Sequence, residues 1–183
     1  YGGGICNTYS SPTITNTTIT NNTTNNIGGG IVNLFSSPTI TNTTISDNSA
    51  YQGGGIYNST SSPIITNTNI TNNSANISGG GIFNYYSSPT LTNTTISNNS
   101  ASYGGGGYNY VSSPIITNTT ISNNSCSFNG GGIYNHTSST PTINNSIIWA
   151  NTKNSDQSVN NVYNINNSTP VYKYSLIQGS MVN

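Results

Sequence analysis

One motif returns along nearly the whole chain at an interval of 25 or 26 residues. Its most visible part is a run of three glycines, and the runs begin at Gly2, Gly28, Gly53, Gly79, Gly104 and Gly130. The one-residue variation in the interval falls just before each run, which marks a tolerant loop. A short and nearly constant interval restricts the fold to architectures in which each repeat is one structural unit stacked on the next.

Each repeat has the pattern of β-strands. It reads approximately GGGIYNxxSSPTITNTTISNNSA, in which β-branched residues alternate with polar ones and no helical spacing of apolar residues occurs. Three aliphatic columns are the predicted core: Ile5, Ile31, Ile56, Ile82 and Ile133; Ile14, Ile40, Ile65, Leu91, Ile116 and Ile143; Ile19, Ile45, Ile70, Ile96, Ile121 and Ile148. Gly107 interrupts the first column, which predicts a local packing defect. The chain is therefore predicted to be an all-β solenoid with about six regular coils.

The domain boundaries follow the regularity of the repeat. Residues 1–152 form the regular coils, and residues 153–183 form an irregular final coil or a C-terminal cap of the same domain. Stacked coils lie about 4.8 Å apart, so that each residue contacts its equivalent in the next coil.

Asparagine also recurs in columns. Side chains alternate across a strand, so the Asn two residues after the first aliphatic column faces inward and can bond from coil to coil. This predicted structural ladder consists of Asn7, Asn33, Asn58, Asn84, Asn109 and Asn135. A second column marks a sharp bend, because Asn tolerates the left-handed conformation; it consists of Asn16, Asn42, Asn67, Asn93, Asn118 and Asn145.

Charged residues are almost absent. The 183 residues include Lys+Arg 2, Asp+Glu 2 and His 1, so no basic patch can neutralise phosphates and no nucleic-acid partner is expected. Glycosidases need two carboxyl groups about 5–9.5 Å apart, whereas Asp47 and Asp156 are several coils apart. Lys153, Lys173 and His136 are equally isolated. We therefore predict no catalytic residues, no metal site and no cofactor.

No apolar run is long enough to cross a membrane, so no transmembrane segment is expected. The start of the chain lacks the basic and apolar regions of an export signal. Cys6 and Cys126 are too few for a disulfide framework, and pairing between chains stays open.

An aromatic column is the main candidate for binding. It faces outward by alternation and runs through Cys6, Val32, Tyr57, Phe83, Tyr108 and Tyr134, and the adjacent loops add Tyr9, Phe35, Tyr85, Tyr86 and Tyr110. Exposed rings can stack on sugars or pack against a second solenoid. The alternative is that they only cover the groove beside the glycines. The candidate glycan or lateral-packing surface is Tyr57, Phe83, Tyr108, Tyr134, Tyr9, Phe35 and Tyr86.

Threonine pairs suggest another function. Regularly spaced threonines on a flat sheet can order water, which would indicate an ice-binding protein; the pairs are Thr13 with Thr15, Thr39 with Thr41 and Thr90 with Thr92. Ile64 and Ile115 interrupt this pattern. The alternative is the high strand propensity of threonine on a solvated face.

The motifs resemble those of a known family. Gly53 to Asn58, Ser36 to Asn42 and the closing segments Asn145 to Thr152 and Tyr174 to Gly179 resemble secreted right-handed parallel β-helix repeats of bacterial surfaces. The polymorphic outer-membrane proteins and the pectate-lyase-like solenoids belong to this group. The resemblance implies a right-handed parallel β-helix with an extracellular or cell-surface location.

The expected function is that of a non-catalytic structural or adhesive element of a bacterial surface, either as a single module or as a self-assembling fibre subunit. Weak charge repulsion favours self-association, and a surface polysaccharide is the other expected partner. The alternatives are a glycan-binding module, an ice-binding protein and a polysaccharide-degrading enzyme.

Overall fold

The computed structural model describes residues 2–154 and 158–179. All regular secondary structure in these residues is β-strand, and every strand pair is parallel. The chain is a right-handed parallel β-helix of about seven turns, which confirms the predicted fold class. The same residues contain no helix with the length and hydrophobicity of a membrane span.

Each turn contributes strands to up to four sheets, numbered here in the order that the chain meets them. Sheet 1 contains Ile5–Thr8, Ile31–Leu34, Ile56–Ser59, Ile82–Tyr85, Gly107–Tyr110, Ile133–His136 and Val162–Asn164. Sheet 2 contains Thr13–Thr15, Thr39–Thr41, Ile64–Thr66, Thr90–Thr92, Ile115–Thr117, Thr142–Asn144 and Val171–Lys173. Sheet 3 contains Thr18–Thr20, Thr44–Ser46, Asn69–Thr71, Thr95–Ser97, Thr120–Ser122, Ile147–Trp149 and Leu176–Ile177. Sheet 4 contains Ser49–Gln52, Ser74–Ser78, Ser100–Tyr103, Ser125–Asn129 and Thr152–Lys153.

The three predicted aliphatic columns form the core. Equivalent residues are paired from turn to turn, as in Ile31 with Ile56 and Ile56 with Ile82. The columns fill the space between sheets 1, 2 and 3 as one hydrophobic cluster. Beside Gly107 the column is interrupted, and a cavity of about 20 Å³ lies there. The packing defect predicted at this position is confirmed.

The predicted asparagine ladder is also present, and we call it the first amide ladder. The Nδ2 atom of Asn7 donates to Oδ1 of Asn33 at 2.9 Å, and the same bond repeats along the column. It continues through Asn58, Asn84, Asn109 and Asn135 to Asn164, with distances of 2.7–2.9 Å. Since these amides are buried and paired, they contribute cohesion along the axis that the apolar columns cannot supply.

A second amide ladder was not predicted. It runs after sheet 3 through Asn22, Asn48, Asn73, Asn99, Asn124, Asn151 and Asn161. Asn99 shows the pattern: its Nδ2 donates both to Oδ1 of Asn124 and to the carbonyl of Ile70. In the sequence, this ladder corresponds to the second residue of a repeated Asn-Asn pair. The first residue of the pair belongs to the exposed column that contains Asn21 and Asp47.

The bends of each coil need residues with positive φ. Asn42 and Asn93, at the corner between sheets 2 and 3, have φ of 51° and 50°, which confirms the left-handed bend predicted there. The glycine runs also allow the backbones of adjacent coils to approach closely. A Cβ on Gly54 would lie 2.5 Å from the carbonyl oxygen of Gly80, which is too close for any other residue type. The variation in coil length is absorbed in sheet 4, where the register changes between Ala75 and Ser78.

Candidate binding surface

The outward aromatic column of sheet 1 is a continuous ring stack. Parallel pairing places each ring over its equivalent in the next turn, with ring centroids 5.0 Å apart for Tyr57–Phe83, 5.1 Å for Phe83–Tyr108 and 5.0 Å for Tyr108–Tyr134. Tyr163 of the last turn extends it, with a centroid distance of 5.3 Å from Tyr134. These five residues are called the ring stack below.

The ring stack is less exposed than predicted. Phe83 is 5% exposed and Tyr134 is 6% exposed, so the prediction that they form an open surface is wrong. The turn into each glycine run folds its backbone against the column: a Cβ on Gly79 would lie 2.8 Å from Cβ of Phe83. Tyr103 covers Tyr134 edge-on, with centroids 5.4 Å apart. Phe83 and Tyr134 are therefore buried beside the glycine turns, whereas Tyr57 and Tyr108 are half-buried.

Partial burial changes the acidity of the stacked tyrosines. Desolvation raises the pKa of Tyr108 to about 12, and the neighbouring Tyr134 and Tyr110 hydroxyls add to this effect. The pKa of Tyr57 is raised for the same reason, with a smaller contribution from Tyr85. These hydroxyls are therefore protonated at neutral pH and can both donate and accept hydrogen bonds.

A second group of rings lies beside the stack, and two of its four members are exposed to solvent. We call it the edge cluster: Tyr85, Tyr86, Tyr110 and His136. Tyr85 stacks on Tyr110, and Tyr110 stacks on His136, in both cases with centroids 5.3 Å apart. Tyr86 meets Tyr85 at 88°, with centroids 4.6 Å apart, and is 51% exposed.

The backbone fixes the geometry of the edge cluster. Three of its residues end strands of sheet 1, where a loop had been expected, and Tyr86 follows directly with φ of 48°. The backbone N–H of Tyr86 donates to the carbonyl oxygen of Tyr110 at 3.0 Å. The aromatic faces are thus held on a hydrogen-bonded edge.

Tyr9 and Phe35 form a separate pair on the same edge. Their rings are parallel within 4°, with centroids 5.0 Å apart, and Tyr9 is 77% exposed. Phe35 and Tyr86 occupy equivalent positions two turns apart, with Thr60 in the turn between them. The edge therefore carries two aromatic platforms, about 10 Å apart along the axis.

The ionisable side chains do not join this surface as a group. Asp47 and Lys173 are exposed, Lys153 is half-buried, and His136 alone among them lies among the rings. Asp156 lies outside the described residues. In the described part of the chain, no group of three or more His, Cys, Asp or Glu residues is placed to hold a metal ion. Cys6 is exposed, whereas Cys126 is buried with its sulfur 4.0 Å from Oδ1 of Asn160.

Comparison with known families identifies the fold family. The family described as the right-handed β-helix region matches residues 3–169. The chain belongs to this family. No curated protein and no solved structure matches it. Right-handed β-helices support many activities, so the function of this β-helix has to be argued from its own surface.

Proposed function

We propose that this β-helix is a non-catalytic structural and adhesive element displayed outside a bacterial cell, and that it adheres to polysaccharide through the edge cluster. The observation that carries the proposal is the exposure of the adjoining rings of Tyr85 and Tyr86, which pack against the half-buried Tyr110 on a hydrogen-bonded sheet edge. The face of a sugar ring is apolar and its rim is polar. A tyrosine offers the same combination, a flat apolar face with a polar tip.

The preorganisation of the edge cluster supports this proposal. Aromatic side chains have few rotatable bonds, and here their mutual stacking restricts them further, so that little entropy is lost on binding. The second platform, Tyr9 with Phe35, lies on the same edge and extends the surface that a long chain could contact. A multivalent polymer gains avidity from two such sites.

The nature of the surface favours an uncharged glycan. The neighbours of these rings along the chain are uncharged, so none of them is a cation that could pair with a uronic acid: Asn84, Ser87, Asn109, Val111, Asn135 and Thr137. His136 is the one ionisable group of the edge cluster apart from tyrosine hydroxyls. The extracellular location rests on the resemblance to secreted repeats, and labelling of intact source cells with an antibody against the chain tests it.

The adhesion experiment uses sedimentation of the purified chain with insoluble cellulose, chitin and peptidoglycan. We expect binding to at least one of them, and we expect Tyr86→Ala combined with Tyr110→Ala to remove most of it. Tyr51→Ala is the control, because Tyr51 is an exposed tyrosine of sheet 4, outside the edge cluster. Unchanged binding in the double variant, or no binding to any of the three, would overturn the proposal.

The non-catalytic part has its own test. Incubation of the chain with the same three polymers is expected to release no reducing sugar and no unsaturated product. Product release that increases with protein concentration would contradict it.

A further inference from the structure

The outer face of sheet 2 is a two-column array of β-branched side chains. Over the first six turns its outward positions are Thr13 and Thr15, Thr39 and Thr41, Ile64 and Thr66, Thr90 and Thr92, Ile115 and Thr117, and Thr142 and Asn144. Nine of these twelve residues are threonine. We call this array the threonine face.

The parallel register makes the array regular in both directions. Pairing joins Thr41 to Thr66 and Thr92 to Thr117 without a bulge, so the rows repeat at the interstrand spacing of about 4.8 Å. Within a strand, the two outward residues are about 6.6 Å apart. The face is therefore a regular lattice whose spacings are set by the backbone.

The two isoleucines preserve most of this lattice. Ile64 is 52% exposed and Ile115 is 48% exposed, and each is paired in register with Thr90. Isoleucine keeps the branched Cβ and the methyl group of threonine and carries an ethyl group in place of the hydroxyl. Side chains of both types are restricted at χ1, so the methyl groups are held in rows.

The hydroxyl groups of the array are left for solvent. In the described ranges, no protein group hydrogen-bonds to the side-chain oxygens of Thr41, Thr66 or Thr92. On sheet 3, by contrast, the hydroxyls of Thr20 and Ser46 bond to each other at 3.2 Å. Unpaired hydroxyls at constant intervals can hold a row of waters in fixed positions, because each water finds the same partners on every turn.

We propose that the threonine face binds ice. Its ordered hydroxyls and methyl groups hold surface waters in a repeating arrangement that can merge with a growing crystal. The face carries no charged side chain over these six turns, so no ionic group keeps its own hydration shell in the way. This activity is independent of the glycan adhesion proposed for the edge cluster, which lies on sheet 1.

Two measurements test it on the wild-type chain. We expect thermal hysteresis, a gap between the melting and freezing points of a seeded ice crystal, and enrichment of the chain in slowly grown ice relative to the remaining liquid. Absence of a gap together with exclusion from the ice would overturn the proposal.

A pair of variants assigns the activity to its face. Thr66→Tyr places a bulky ring in the centre of the array and is expected to remove most of the hysteresis. Thr71→Tyr is the matched control, because Thr71 ends the sheet 3 strand of the same turn and is equally half-buried. Thermal melts test whether both variants fold. Equal loss in both variants, or full activity in both, would overturn the assignment to sheet 2.

If Thr66→Tyr fails to fold, Ile64→Thr with Ile115→Thr replaces it. This variant completes both columns and is expected to increase the hysteresis. A decrease would contradict the role of the hydroxyl lattice.

Discussion

Gly107 leaves a gap in the core column of sheet 1, between Ile82 and Ile133. The adjacent cavity of about 20 Å³ is lined mainly by aliphatic side chains of the three core columns. A Cβ on Gly107 would have only the carbonyl oxygen of Ile82 nearby, at 3.9 Å. The backbone at this position also lacks the positive φ of the first glycine of each run. The position can therefore accept a side chain.

We expect Gly107→Ile to raise the free energy of unfolding by about 1–3 kcal/mol, through apolar burial and a less flexible unfolded chain. Thermal and urea unfolding measure the change. Gly106→Ala is the neighbouring control: its Cβ would lie 2.6 Å from the carbonyl oxygen of Gly132, so this variant should be destabilised. A lower melting temperature for Gly107→Ile would show that the cavity cannot take the side chain.

Asn99 shows how strictly a buried amide is required. Its Nδ2 donates two hydrogen bonds, and its Oδ1 accepts from the backbone N–H and the side chain of Asn73. A carboxylate has the same shape but cannot donate, so it would face the oxygens of Ile70 and Asn124 without a hydrogen between them.

We expect Asn99→Asp to lower the free energy of unfolding by about 2–5 kcal/mol at neutral pH. Burial raises the pKa of the introduced carboxyl above its unfolded value, so stability returns as the pH falls below about 4 and is lost as the pH rises. Melting curves between pH 3 and 7 test this. Asn98→Asp is the control, since Asp47 already occupies that exposed column, and it should change stability little.

Sheet 4 is the element in which the coil length varies. The turn with Ser74–Ser78 has one residue more than the turns with Ser49–Gln52 and Ser100–Tyr103 on either side, and the pairing shifts by one residue there. Sheets 2 and 3 show no such shift, because their inward residues must stay in the core columns.

We expect deletion of the exposed Asn76 to leave a cooperatively folded chain, since the remaining segment matches the shorter turns. Deletion of Thr95 is the comparison: it would move Ile96 from the core to the surface and should prevent folding. Circular dichroism melts distinguish the two. Equal loss of structure in both deletions would show that sheet 4 is not the tolerant segment.

The whole molecule has few groups whose ionisation can affect its stability. Burial raises the pKa of several tyrosines, and it raises the pKa of Tyr108 and of Tyr172 to about 12. A raised pKa in the folded state stabilises the protein at lower pH. This stabilisation is lost as the pH rises from the unfolded value of about 10 towards 12.

We therefore expect the melting temperature to fall above about pH 10, where the tyrosines of the unfolded chain ionise. Tyr108→Phe should weaken this fall, and it should fold because Phe83 already occupies the same column. If the melting temperature of Tyr108→Phe fell with rising pH in the same way as that of the wild type, this would contradict the expectation that ionisation of the Tyr108 hydroxyl destabilises the fold.

Much of the architecture follows from the sequence, because every coil of a solenoid has the same local structure. Equivalent residues must stack, so the columns headed by Ile14 and Ile19, the first amide ladder and the bend at Asn42 are all readable from their spacing. Alternation along one strand is then sufficient to assign Asn33 to the interior and Val32 to the opposite side.

The candidate surface depends on contacts between different parts of a coil, and alternation carries no information about these. Tyr57 and Tyr86 were both predicted to be exposed; the path of the glycine turn leaves Tyr57 half-buried in the ring stack, whereas Tyr86 is exposed in the edge cluster. The second amide ladder was missed for the same reason. Asn99 is enclosed because the chain turns there around the carbonyl of Ile70, which lies one coil away. The repeat therefore determined which residues stack, and the three-dimensional bends determined which of the stacks face water.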